Sequence, residues 1–212
     1  REAGLSQDAD GNWSLNPYID ECYRLGINVL PPDINKSYAE FSPDENNIRF
    51  GLASIKQVGE VVVQKIIEER EKNGDFKSIY DFCTRVDSKC SNKRVLEGLI
   101  KSGAFSNIEK SRKQLLNNID YILGQAAREQ KEKEIGQGSL FAMLGEEAPS
   151  FSLQGSDEDF SDQEIQQFEK EFLGFYVTSH PLSSIRKHLP FLMTHKISEL
   201  NELPTDKMVT IC

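Results

Sequence analysis

The sequence predicts a mainly α chain with a few short extended pieces, and three observations lead there. Apolar residues recur at three-to-four spacing over 60–72, 92–101 and 111–134. Capping residues and turn signals punctuate those stretches, among them Asn73-Gly74, Gly103 and Gly136. With 38% hydrophobic and 28% charged residues among 212, and a mean hydropathy of -0.50, small modules joined by solvated segments are expected rather than one globule.

In chain order, the polar residues before Ser14 read as a loop. Pro17 opens a helix through Leu25, with Ile19, Cys22 and Tyr23 on one face, and Gly26 ends it. Ile27–Leu30 reads as a short strand stopped by Pro31-Pro32, Asp33–Asn47 as turns, and Ile48–Leu52 as a second extended piece. Helices follow over Glu60–Lys72, Ile79–Arg85, Asn92–Lys101 and Ser111 to about Glu134; the pair Ser78 and Asp81 resembles a capping box. After Gly136 the chain is loop-like to Asp159. Ser161 with Glu164 forms another capping box, ahead of a helix carrying Ile165, Phe168 and Phe172. Gly174–His180 reads as extended, Pro181 to about His188 as a short helix, and Met208–Cys212 as a strand cut in the middle.

No apolar run nears the roughly 18 residues that span a bilayer, which leaves no membrane role. Neither end looks like a native terminus, so the chain is expected to be a piece of a longer protein. The four cysteines show no paired spacing and the three histidines lie seven or eight residues apart, which disfavours disulfides and zinc and suggests a cytoplasmic setting. The net charge of -9 is unevenly spread: Arg49–Glu134 holds 17 basic and 13 acidic residues, whereas Ala142–Glu169 holds eight acids and no base. A mildly basic middle between acidic ends leaves nucleic acid as a partner for the middle alone.

Three stretches carry candidate chemistry. In the first, Lys56, Gln57, Val58 and Gly59 form a tight turn entering a helix, whose unpaired N–H groups and dipole suit a phosphate. A plain connector is the competing reading. In the second, Ile100-Lys101-Ser102-Gly103-Ala104 repeats the Ile-Lys start and the turn glycine inside the most basic window, with Lys93, Arg94, Lys110, Arg112 and Lys113. Two such hairpins could grip one duplex; otherwise the charges are an ordinary solvated helix surface. The third is Gln137-Gly138-Ser139-Leu140-Phe141, an apolar pair in a polar stretch, suited to docking in a partner's groove or to folding back on neighbouring helices. No nucleophile, metal or phosphate-loop motif points to an active site in the chain.

An ordered set of segments resembles the bacterial DNA polymerase III alpha subunit, a replicative C-family DNA polymerase. It comprises Tyr18–Cys22, Leu25–Ile27, Pro31–Asn35, Phe50–Leu52, Ile55–Glu60, Phe76–Ser78, Asp81–Cys83, Asn92–Glu97, Gly103–Phe105, Gln137–Phe141, Glu171–Tyr176 and His180-Pro181. The resemblance implies the tail of a fingers domain over 1–47 and a tandem helix-hairpin-helix domain over 48–135. It also implies a clamp-binding peptide with an acidic linker over 136–160, connecting helices over 161–195, and the truncated start of an OB-fold over 196–212. DNA-backbone contacts then fall to Lys56, Gln57, Val58, Gly59, Lys93, Arg94, Lys101, Ser102, Gly103, Arg112 and Lys113. Sliding-clamp contacts fall to Gln137, Ser139, Leu140 and Phe141.

The remaining partners are the rest of the polymerase III holoenzyme. By the same resemblance the catalytic carboxylates and their magnesium belong elsewhere in the parent chain, so the fragment is expected to carry no cofactor and no activity of its own. The acidic stretch is expected to keep the linker solvated and off the DNA. Two departures stand out: Gln57 occupies a turn position where the motif usually has glycine, and the second hairpin is further from the motif. The alternative is a protein-interaction scaffold whose hairpins only pack.

Overall fold

A computed structural model describes residues 16–135, 152–178 and 210 of the chain. The chain divides into two compact units, Arg1–Val177 and Thr178–Cys212. Of the second only Thr178 and Thr210 are described, and neither lies in a helix or strand. The expected helix over 181–188, the strand over 208–212 apart from Thr210, and the boundary at 195 therefore lie outside the described residues.

The first unit is mainly helical with one small sheet. Its helices are α1 (Asn16–Arg24), α2 (Glu60–Asn73), α3 (Ile79–Arg85), α4 (Lys93–Lys101), α5 (Arg112–Ile135) and α6 (Asp162–Phe172). Strands β1 (Val29–Leu30), β2 (Ser42–Asp44) and β3 (Asn47–Arg49) lie in the order β1-β3-β2. β1 runs parallel to β3, pairing Val29 with Ile48, and β2 is antiparallel to it, pairing Ser42 with Arg49. The stretch 33–47, expected as turns only, thus contributes an edge strand. Leu52–Ser54 forms a 3-10 turn rather than continuing β3.

The helix starts follow local chemistry. Ser161 Oγ accepts from Glu164 N–H while the Glu164 carboxylate takes the Ser161 N–H, a complete capping box. At Ser78 only half a box forms: Ser78 Oγ accepts from Asp81 N–H, but Asp81 takes the N–H of Lys77, one residue earlier than a box requires. Asn92 caps α4 by accepting from Val95 N–H. After α6 the chain turns at Gly174 (φ 89) and proceeds through bends to Thr178, where an extended segment was expected.

One core serves the sheet and the helices together. Phe76, Phe82 and Phe105 stack edge to face with centroids 5.1 and 5.3 Å apart. Phe50 packs between Phe41 and Phe175 at 4.7 and 5.6 Å. Ile34 N–H donates to the Ala104 carbonyl, and Asn35 exchanges two hydrogen bonds with the Phe76 backbone. The expected division at 47/48 falls inside β3, and the core crosses it. Among the described residues no helix is long and apolar enough to cross a membrane.

Candidate nucleic-acid interface

The first hairpin is built around the entrance to α2. Val58 is buried (4% exposed) and its N–H donates to the Ile55 carbonyl, so its side chain anchors the turn instead of facing a ligand. Gln57 takes φ 74, the left-handed conformation that glycine adopts without penalty. Its Oε1 is buried with no hydrogen-bond partner among the described residues. Gly59 is the N-cap of α2 at φ -80, with no side-chain cap, and a Cβ there would meet nothing within 4 Å. The first backbone bond of α2 is Val63 N–H to Gly59 C=O, so the amides of Glu60, Val61 and Val62 precede the hydrogen-bonded ladder. The result is an uncrowded helix N-terminus beside the exposed Lys56.

Helix α4 sets the position of that turn. Its Gly98 is buried against the hairpin, and a Cβ there would lie 2.7 Å from the Lys56 carbonyl oxygen and 3.3 Å from Val58 Cγ2. The sequence reading gave Gly98 no role. Its signal was a lone glycine inside an amphipathic helix, which usually has a packing reason.

The second stretch has different geometry. Ile100–Ala104 is the C-terminal end of α4, where Ala104 N–H donates to the Leu99 carbonyl and Gly103 N–H to that of Ile100. With Gly103 at φ 85 this is a Schellman motif, the carbonyl end of a helix. The apparent repeat of the first hairpin therefore matches in sequence but not in polarity: one turn enters a helix and the other leaves one. Ser102 is buried, donating to the Leu99 carbonyl. Arg112 is buried over Gly103 and donates to the Lys101 carbonyl. Burial lowers the Arg112 pKa, countered by Glu169 and Asp159. Ser102, Gly103 and Arg112 are thus part of the interior.

The other basic residues differ in freedom. Lys93 pairs with Asp120 at 2.9 Å, which raises its pKa. Arg94 is exposed and has no partner among the described residues. Lys101 is half-buried, its Nζ 5.6 and 5.3 Å from the Phe168 and Phe172 ring centroids. Lys56 Nζ stands 3.6 Å from Glu171 and its N–H donates to the Phe172 carbonyl. Lys113 is exposed, but its backbone N–H, in the first turn of α5, donates to Asp159.

That last contact adds to the expectation of a solvated acidic linker: residues 154–158 are exposed, yet the segment is held. Over 154–159 the segment lies along α5: Gln154 exchanges bonds with Asn118, Ser111 Oγ donates to the Glu158 carbonyl, and Asp159 caps the helix. A carboxylate at a helix N-terminus is favoured by the dipole, so acidity here docks the segment. The peptide Gln137–Phe141 lies outside the described residues. Among the described residues no group of three His, Cys, Asp or Glu side chains is placed to hold a metal ion.

The helix-hairpin-helix motif family model matches residues 26–115. The chain is 44% identical over 188 residues, 87% of its length, to a DNA polymerase III subunit alpha from Borreliella burgdorferi. It is 34% identical over 211 residues, 98% of its length, to one from Escherichia coli K12, and 36% identical over 199 residues, 93%, to one from Neisseria meningitidis. The chain spans only 16%, 18% and 17% of those three proteins.

Proposed function

Because this chain is related over most of its length to alpha subunits of DNA polymerase III, we propose that it is the segment of such a subunit that holds duplex DNA by its backbone and tethers the enzyme to a sliding clamp. The observation that carries the DNA part is the open N-terminus of α2. Three amides ahead of the helical ladder and the positive end of the dipole meet where no described atom lies within 4 Å of a Gly59 Cβ, and Lys56, held near Glu171, stands three residues before it in the same turn. A phosphate held there is read without regard to base sequence, and neutralising it releases counterions. Arg94, Lys93 and Lys113 extend the positive field, with Lys93 changing partner from Asp120 to phosphate.

The clamp part rests on Gln137, Ser139, Leu140 and Phe141, whose amide and apolar side chains suit a groove. A tether to a ring on DNA raises the effective concentration of polymerase at the primer end. Polymerisation, and the magnesium it uses, is assigned to the remainder of the parent chain. The second reading, a scaffold whose hairpins only pack, draws on one observation: the aromatic cover over Lys101 makes the second turn a packing element.

Gly59→Asp separates the two readings. A Cβ fits there, and an aspartate at the N-cap would satisfy the helix itself while repelling phosphate. The fold should keep its stability to within a few tenths of a kcal/mol while duplex affinity falls. The slope of log affinity against log salt should also drop by about one unit. Undiminished affinity would remove the hairpin from the DNA-holding role. For the clamp, Leu140→Ala with Phe141→Ala should abolish binding to a bacterial sliding clamp in a pull-down where the parent chain binds; equal binding would place the dock elsewhere.

A further inference from the structure

A cleft of about 380 Å³ opens between the β2–β3 hairpin, the loop at 35–38 and the last turns of α2, and its wall is cationic. Arg49 and Arg70 both line it and both are more than nine-tenths buried, at 8% and 7% exposed. Lys36 stands exposed at the rim. The opposing charges are Asp44, which already takes Arg49 Nε at 2.5 Å, and the exposed Glu71.

The two guanidiniums are underused. Arg49 donates to Asp44 and the Pro31 carbonyl. Arg70 donates to the Ile34 carbonyl alone and lies 5.2 Å from the Tyr38 ring centroid. Among the described residues no carboxylate pairs with Arg70. A buried charge that makes no direct ion pair is costly, and so are N–H groups left unmade. Burial lowers the pKa of Arg70, countered in part by Tyr38, Glu71, Asp33 and Asp75. Holding a second fork beside it in the same cleft makes sense if an anion arrives to satisfy both.

We propose that this cleft binds a phosphate group, gripped by Arg49 and Arg70 with Lys36 closing the rim. Phosphate fits better than carboxylate because it offers three or four oxygens spread in three dimensions to the free N–H groups of two guanidiniums and an ammonium, whereas a carboxylate offers two oxygens in one plane. The site is separate from the hairpin. Gly59 and Arg70 lie at opposite ends of α2, about 16 Å apart along its axis at 1.5 Å per residue. Its occupant is either a terminal or backbone phosphate of nucleic acid or a free phosphate.

The test follows the guanidinium N–H resonances of Arg49 and Arg70 in this chain under titration, against chloride at matched ionic strength. The probes are inorganic phosphate, a 5′-phosphorylated oligonucleotide and its unphosphorylated twin. Saturable shifts of both residues with inorganic phosphate are expected, weakened tenfold or more in Lys36→Glu, a rim variant that leaves the interior untouched; in Arg70→Gln the remaining Arg49 shift should weaken as much. Lys56→Glu should leave them unchanged, so failure of the hairpin reading and of this one are distinguishable. Much tighter saturation by the phosphorylated oligonucleotide than by phosphate assigns a nucleic-acid source; equal saturation assigns free phosphate. Shifts reproduced by chloride, or no saturable shift with inorganic phosphate, overturn the proposal.

Discussion

Gln57 shows how much one side chain can cost at a tight turn. Its φ of 74 is a left-handed conformation, which disfavours an L-residue by about 1–2 kcal/mol. Its buried Oε1, without a partner among the described residues, adds a desolvation penalty of about 1–3 kcal/mol. The sequence flagged the position because the related motif usually has glycine there, and the backbone confirms the need for positive φ. Gln57→Gly should therefore stabilise the chain, by about 1 kcal/mol after the entropy that glycine loses on folding. Urea unfolding with an unchanged m-value would show it, and a lower midpoint would mean that the amide does something unrecognised. Cys83 is a second residue-scale case: burial pushes its thiol up to about 12. A group raised in the folded state contributes stability that is complete below its ordinary pKa of 9.0 and is lost as pH climbs from there toward 12. At pH 8 a thiol reagent should modify the half-buried Cys22 and Cys90 and spare Cys83 until the protein unfolds.

Elements were legible where the signal is local. The helices announced themselves by apolar spacing, and the cap at Ser161 by its Glu164 partner three residues on. What the sequence concealed depends on neighbours. Ile55–Gly59 and Ile100–Ala104 share a residue pattern, yet only tertiary packing decides that one enters α2 and the other leaves α4. The strand at Ser42–Asp44 contains Pro43 and Asp44, poor strand formers, and exists because β3 pairs with it. Acidity at 154–159 suggested solvation, and 154–158 are exposed; that Asp159 also docks at a helix N-terminus was not legible. The most consequential hidden contact is Gly98 against the hairpin. Gly98→Ala would push a methyl into the Lys56 carbonyl and shift the turn, at an overpacking cost of about 1–3 kcal/mol. Calorimetry should register that loss and a duplex titration a weaker hold. A variant that lost stability but kept its DNA affinity would show that the turn tolerates displacement.

At the scale of the whole first unit, the family resemblance implied two modules meeting between residues 47 and 48. The packing joins them. Ile19, Val29 and Ile34 share a core with Leu96, Leu99 and Phe105, and the Ile34–Ala104 backbone bond and the two bonds of the Asn35 side-chain amide to the Phe76 backbone tie the sheet's loop to the helices. Shared burial makes folding cooperative, since neither half keeps its apolar surface dry without the other. The unit around these residues should unfold in one transition: in urea, loss of helical circular dichroism and exposure of Cys83 to thiol reagent should share a midpoint. Cys83 lies on α3 and is buried among the helices, so a separable sheet would leave it protected while an earlier phase disrupted residues 16–50. Accordingly Ile34→Ala, a substitution in the loop between β1 and β2 on the far side of the expected division, should lower both midpoints together by about 2–5 kcal/mol of stability. If Ile34→Ala left the Cys83 midpoint fixed, the shared core would be two cores in contact, and the hairpin at Gly59 would be positioned by the helices alone.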